Sequence, residues 1–132
     1  MNCLFLSKIM ANCICFISTV IDSKCNYPAA CNAMETLLIH KDLLSTSSFT
    51  SLCNNLKKNN VKLNSGPRLS QQLTFGPPLA KSLRKEYGDL ECTIEVVDDV
   101  DDAIEHINTY GSSHTDVIVT ENGMISIYFM SL

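Results

Sequence analysis

The stretch Glu91-Cys92-Thr93-Ile94-Glu95-Val96-Val97 limits the fold more than any other part of the chain, because an acidic run comes directly after it. Its β-branched residues predict a strand. The run Asp98-Asp99-Val100-Asp101-Asp102 then suits a helix N-terminus, where the backbone dipole favours negative charge. Val100, Ala103, Ile104 and Ile107 fall at i, i+3, i+4 and i+7, a single apolar stripe for packing on a sheet, with Ile104 and Ile107 expected in the core. Tyr110-Gly111 closes that helix, and Asp116 to Thr120 predicts another strand. Strand, helix, strand in alternation makes βαβ units, so the expected fold class is α/β with a parallel or mixed sheet and flanking helices.

The middle of the chain agrees. Thr36-Leu37-Leu38-Ile39-His40 is a short continuous apolar run, as in a strand covered on both faces. Asp42 is placed to cap a helix carrying Leu43, Leu44, Phe49, Leu52 and Leu56 and ending in Lys57-Lys58-Asn59-Asn60. Val61-Lys62-Leu63 reads as a brief strand punctuated by Gly66-Pro67. From Leu69 to Lys85 the pattern is mixed, with Gly76-Pro77-Pro78 as a breaker.

At 132 residues the chain has the length of one domain, and 45% hydrophobic with 18% charged residues is an ordinary globular composition. A net charge of −4, with no basic cluster denser than Lys57-Lys58, argues against nucleic acid as a partner. The seven cysteines are an odd set without repeated spacing, which points to reduced thiols; they lack the C-x2-C rhythm of a zinc site, so no metal is expected. Residues 1–21 are strongly apolar yet split by Lys8, and the longer apolar half is short for a membrane span. A buried helix leading into the next segment, or a start unrelated to the rest, fits them better than a signal peptide or anchor.

One cysteine stands in a setting suited to chemistry. In YPAACNAMETLLIH, residues 27 to 40, Pro28 fixes a turn, Ala29 and Ala30 keep volume low before Cys31, and Asn32 supplies an amide donor. An accessible thiolate beside a backbone N–H and an amide is an arrangement for attacking an acyl carbon and holding the oxyanion that develops. Buried cysteine is common, however, and spacing alone leaves Cys31 equally readable as a core residue. In the last third, His106 and Tyr110 lie one turn apart on the helix flank, where His106 reads as a structural hydrogen-bonding residue. Gly111-Ser112-Ser113-His114-Thr115 occupies the loop between helix and strand, where α/β proteins place ligand contacts.

The segment YPAACNAMETLLIH resembles the active-cysteine segment of the glutamyl phosphate reductase family, aldehyde-dehydrogenase-like enzymes of proline biosynthesis, and in particular the reductase half of animal bifunctional pyrroline-5-carboxylate synthases. VDDVDDAIEHINTYGSSHTDVI, residues 97 to 118, is similar to the family's second signature through Val97, Ala103-Ile104, His106-Ile107, Tyr110-Gly111-Ser112, His114-Thr115-Asp116 and Ile118. LLIHKDLL, KLNSGPRL and SLRKEYGDLECTIEVVD match the same family in the same order, so the resemblance covers about residues 22 to 121.

What the resemblance implies is specific. Cys31 becomes the catalytic nucleophile that forms a thioester from γ-glutamyl phosphate, and Asn32 helps polarise the carbonyl. NADPH is the hydride donor, and Gly111, Ser112, Ser113, His114 and Thr115 are candidates to bind the small-molecule substrate. The family's nucleotide-binding domain, with its Gly-rich strand-to-helix turn, finds no counterpart here, and the cofactor site is expected on a domain absent from the chain. Residues 1–21 and 122–132 depart from the family pattern and flank a partial catalytic domain at 22–121. Such a fragment is expected to turn over little alone; a non-catalytic remnant that pairs with intact synthase subunits, or a homo-oligomer, is the alternative. By the same resemblance the location is mitochondrial, with cytoplasmic as the alternative.

Overall fold

The computed structural model describes residues 3–6 and 13–131. Five strands form one sheet in the order β3-β4-β2-β1-β5, and every neighbouring pair is parallel. The strands are β1 (Cys3–Leu6), β2 (Thr36–His40), β3 (Lys62–Ser65), β4 (Glu91–Val97) and β5 (Asp116–Val119). Between and after them lie α1 (Cys13–Cys25), α2 (Ser47–Lys58), α3 (Pro67–Gln72), α4 (Val100–Tyr110) and α5 (Gly123–Met130). Of the parallel and mixed alternatives, the sheet is parallel throughout.

Alternation along each strand sorts the core into two layers. Leu4, Leu6, Leu37, Ile39, Cys92, Ile94 and Val96 face α1, α2 and α3, meeting Phe16, Val20, Leu52, Leu56 and Leu69. Cys3, Phe5, Leu38 and Val97 face the other way and pack with Ala103 of α4. A sheet covered on both faces needs apolar side chains at successive positions, which is why β2 reads TLLI without a polar interruption.

Two of the strand-to-helix junctions differ from the sequence expectation. Asp42 does not start a long helix: Lys41–Leu43 is a single 3₁₀ turn whose Asp42 N–H donates to His40 Nδ1 at 3.2 Å, and α2 begins only after Thr46, whose hydroxyl accepts from the Phe49 N–H. Asp and Thr are both good caps, and the intervening turn decides which one is used. Gly66-Pro67 opens α3 instead of merely ending β3, with Pro67 at the first helical position, where its missing N–H costs nothing.

α4 turns most of its expected stripe to the sheet: Ala103 is buried, and Val100 and Ile107 pack against the second core layer. Ile104 is only half-buried and stands outside that layer, whereas His106 is buried. Asp99 caps the helix, its side chain accepting from Asp102 N–H at 3.0 Å, as the acidic run foretold.

The apolar N-terminal segment contributes β1, the strand between β2 and β5, and the start of α1; its Lys8 lies outside the described residues. Among the described residues no helix is long and apolar enough to cross a membrane. The C-terminal segment forms α5, capped by Asn122, with Met124, Ile127 and Met130 exposed.

Candidate functional site

In a parallel sheet, all the loops that precede strands emerge at one edge. Here that edge carries residues 26–35 before β2, 85–90 before β4 and 111–115 before β5. The strand starts are level, with Thr36 opposite Cys3 and Cys3 opposite Asp116. The loop of Cys31 and the loop of His114 therefore rise from strands separated by β1 alone, two strand spacings or about 10 Å apart at their bases.

Cys31 is exposed, as is Asn32. Two tight turns carry them, Ala30 N–H to Tyr27 C=O and Ala33 N–H to Ala30 C=O, each at 3.0 Å. The other described cysteines sort by burial. Desolvation pushes the thiols of Cys3 and Cys92 up to about 12 and that of Cys53 to about 11, and it raises Cys25 as well. A thiolate is the reactive form, so these four are poor nucleophiles at neutral pH. Cys15 is exposed too, but on the solvent face of α1.

The base of the Cys31 loop is fixed by charge. Phe16, Val20 and Lys24 succeed one another at helical spacing on the buried stripe of α1, and Lys24 is 0% exposed. Its Nζ lies 3.2 Å from Glu35 Oε2, on the far side of the loop. The same carboxylate accepts the Tyr87 N–H at 3.0 Å and the Gly88 N–H at 3.2 Å, drawing the loop before β4 against the loop before β2. Met34 N–H donates to Ser23 C=O at 2.9 Å beside this pair. Lys24, Glu35, Tyr87 and Gly88 were not among the residues expected from sequence. The available signal was Glu35 itself, a lone acid between Met34 and an apolar strand.

The loop at 111–115 is shaped mainly by its helix and strand. Gly111 ends α4, and a Cβ there would meet Ile107 C=O at 2.5 Å, so glycine at this position has a structural reason. Ser113 holds φ at 58°, in the left-handed region that side chains seldom adopt. His114 Nδ1 and Thr115 Oγ1 are 2.8 Å apart, and Ser112 and His114 are exposed. Ser113 and His114 line a cavity of about 380 Å³ with Asn108, Asp116, Phe129 and Met130, and Cys31 is not part of its wall. The two candidate groups thus share an edge of the sheet without sharing a cavity.

His106 does not hydrogen-bond as expected. It is 8% exposed, its ring lies 4.8 Å from that of Tyr110, and Nε2 has no partner among the described residues. Burial pushes its imidazole down from 6.5 to about 4, with Asp102 opposing.

Among the described residues, the starts of α2 to α5 do not fit the phosphates of a nicotinamide dinucleotide; the turn from β1 into α1 lies outside them. Such a ligand needs open backbone N–H groups at a strand-to-helix turn. At α3 the Arg68 and Leu69 N–H groups already donate to the buried carboxylate of Glu95, at 3.2 and 2.9 Å. At α4 Asp99 fills the cap and Asp98, Asp101 and Asp102 surround it, while Thr46 and Asn122 occupy the starts of α2 and α5. Among the described residues, no group of histidines, cysteines and acids is placed to hold a metal ion.

The doubly covered parallel sheet, with a cysteine loop at the end where strands begin, has the α/β fold of aldehyde-dehydrogenase-like proteins. The fold is shared with aldehyde dehydrogenase 21 from Physcomitrella patens, at a TM-score of 0.59 and 11% identity over 98% of this chain and 35% of that one. It is shared also with an engineered glycolyl-CoA reductase carrying bound NADP+, at 0.67 and 16% over 99% and 38%. Closer likenesses are more particular. The γ-glutamyl phosphate reductase of Thermotoga maritima superposes with a TM-score of 0.88 at 29% identity, covering 98% of this chain and 31% of that one. Pyrroline-5-carboxylate synthase A of Arabidopsis thaliana is 50% identical over 111 residues, 84% of this chain. The chain belongs to the glutamyl phosphate reductase family. It spans 15% of that plant synthase's length. No protein-family model matches it.

Proposed function

We propose that the chain supplies the nucleophile-bearing segment of a γ-glutamyl phosphate reductase acting in proline biosynthesis. The observation that carries this reading is the exposure of Cys31 on a loop held at its base, in a chain whose sequence matches that family on both sides of the loop. The Cys31 sulfur attacks the acyl carbon of γ-glutamyl phosphate as its thiolate, the thiol proton having gone to solvent. A carbon–sulfur bond forms, the bond from that carbon to the phosphate oxygen breaks, and inorganic phosphate leaves. A thioester remains on Cys31. Asn32 donates to the carbonyl oxygen as negative charge gathers there. Residues 111 to 115, with the small polar side chains of Ser112, Ser113 and Thr115 and the imidazole of His114, receive the amino-acid end of the substrate or its phosphate.

NADPH, when bound, would supply a hydride to the thioester carbon; the carbon–sulfur bond would then break, returning the Cys31 thiolate and releasing glutamate-5-semialdehyde. The described helix starts do not suit that cofactor, so its site is assigned to parts of the larger relatives that this chain does not span. Proximity of hydride donor and thioester provides much of the rate, and the chain alone therefore acylates without turning over.

Acetyl phosphate is a sufficient probe of the first step. Incubation and then peptide mapping should place an acyl group on Cys31 and on no other cysteine, and Cys31→Ser should abolish it. Acylation spread evenly over the thiols would end this reading. NADPH oxidation at the rate of an intact reductase would overturn the assignment of the cofactor site.

The exposed apolar residues of α5, Met124, Ile127 and Met130, favour a second reading, a non-catalytic partner of full-length synthase subunits. Co-purification with such a subunit, together with absence of acylation at Cys31, would distinguish it.

A further inference from the structure

We propose that Lys24 and Glu35 are positioning residues for Cys31, a buried ion pair that closes the base of the cysteine loop and locks it to the loop preceding β4. The inference rests on the reading of Cys31 as nucleophile and adds residues that the resemblance did not assign.

The geometry carries it in three steps. First, the two residues bracket the loop: Lys24 ends the buried stripe of α1 and Glu35 immediately precedes β2, with Cys31 between them. The bond from Met34 N–H to Ser23 C=O, 2.9 Å long, brings the same two ends together through the backbone. Second, the Glu35 carboxylate is fully engaged. It takes the Lys24 ammonium and the Tyr87 N–H on Oε2 and the Gly88 N–H on Oε1, while the Glu35 carbonyl accepts the Thr93 N–H at 3.0 Å. A single residue thus sets the relative position of these parts, its carboxylate holding α1 and residues 87–88 to the Cys31 loop and its carbonyl holding β4.

Third, the pair is costly for what stability it returns. Both partners are almost wholly removed from water, with side-chain exposures of 0% and 5%, and apolar residues of similar volume generally replace such a pair at little or no loss. What an apolar replacement does not reproduce is direction: a carboxylate with one ammonium and two N–H donors has one orientation, and the loop above it inherits that orientation. A nucleophile that must approach an acyl carbon within a narrow angle needs this, because a misplacement of about 1 Å can cost on the order of a hundredfold in rate.

The test separates placement from mere folding. In the full chain, each cysteine is tracked by peptide mapping during alkylation with iodoacetamide, which reports exposure, and during acylation by acetyl phosphate, which also requires placement. In Lys24→Met and Glu35→Gln, acylation of Cys31 should fall about tenfold relative to its alkylation, while Cys15 alkylates as before and Cys92 stays protected. An unchanged ratio overturns the proposal. Should either variant unfold and expose Cys92, the double variant Lys24→Met with Glu35→Met keeps the site apolar and is expected to show the same fall in a folded protein.

Hydrogen exchange on the unaltered chain supplies an outcome independent of acylation. The Tyr87 and Gly88 amides should exchange as slowly as those of β4, and exchange at the rate of open loops would refute the clamp. If Cys31 of the unaltered chain is never acylated, the proposed function fails, and exchange at Tyr87 and Gly88 still decides whether the clamp exists.

Discussion

Gly66 is packed against Glu95 so closely that a Cβ on residue 66 would overlap the carboxyl group of residue 95. The contact exists because Glu95, 2% exposed on β4, turns its carboxylate into the first turn of α3 and accepts from Arg68 and Leu69. Its Oε1 also accepts the Val96 N–H at 2.8 Å. Gly66→Ala must push the carboxylate off these donors, leaving buried polar groups unsatisfied at a cost of about 2 to 3 kcal/mol. Glu95→Gln, which turns an NH₂ group toward the same N–H donors, should lose about 1 to 3 kcal/mol. Urea unfolding monitored by circular dichroism measures both, and a loss below about 0.5 kcal/mol in Gly66→Ala, the ordinary size of a surface change, would contradict the packing described.

His106 makes stability depend on pH. Its folded value of about 4 lies below its ordinary 6.5, so between these pH values the unfolded chain binds a proton that the folded chain refuses. Stability from this group is complete above about pH 6.5 and is lost as the pH falls toward 4, by about 3 kcal/mol in all. The urea midpoint should drop between pH 7 and pH 4.5, and His106→Phe, which retains a ring against Tyr110, should flatten that part of the curve. Equal slopes in the two proteins would show that the imidazole is not buried in its neutral form.

Thiol chemistry should read out burial. A thiol at about 12 in place of the ordinary 9.0 has about a thousandfold less thiolate near neutrality, before any steric protection is counted. Cys31 and Cys15 should therefore alkylate within minutes under conditions that leave Cys3 and Cys92 intact until urea is added. Early modification of Cys92 would place it outside the core.

The apolar surface of α5 should govern self-association. Ile127 is 62% exposed, so Ile127→Lys removes little packing and should change unfolding free energy by less than about 0.5 kcal/mol. Sedimentation velocity should nonetheless shift toward monomer at high protein concentration. An unchanged distribution would show that α5 does not drive contact between copies.

Much of this fold was legible in the sequence where local signals and tertiary demands coincide. β2 and β4 carry continuous apolar or β-branched runs because both faces of the sheet are covered there, β5 carries one at the edge with Val117 exposed, and Asp99 with its acidic neighbours marks the start of α4. β1 was not legible: four apolar residues inside an apolar stretch carry no period of their own, and only the partners Thr36 and Asp116 define their register. The face of α4 was legible through Val100, Ala103 and Ile107, but hydrophobicity alone puts Ile104 in the core, while His106, a polar residue, is the one that packing buries.

The same limit applies to the site. Cys31 and its small neighbours stand out as a motif, but Lys24 and Glu35 look like solvent-facing charges until the chain folds and brings together residues 11 positions apart. Glu95 is concealed in the same way, since alternation in TIEVV assigns it to an open face, whereas its carboxylate is taken up by the first turn of α3.

The placement of β1 between β2 and β5 pairs residues 3–6 with residues 116–119, far along the sequence. During synthesis, one margin of residues 3–6 stays bare until residues 116–119 have been made, more than a hundred positions later. For that interval the nascent chain presents an unpaired apolar ribbon, a template on which another copy can dock. Truncation before residue 116 would make that interval permanent and convert a late folding step into a route to aggregation.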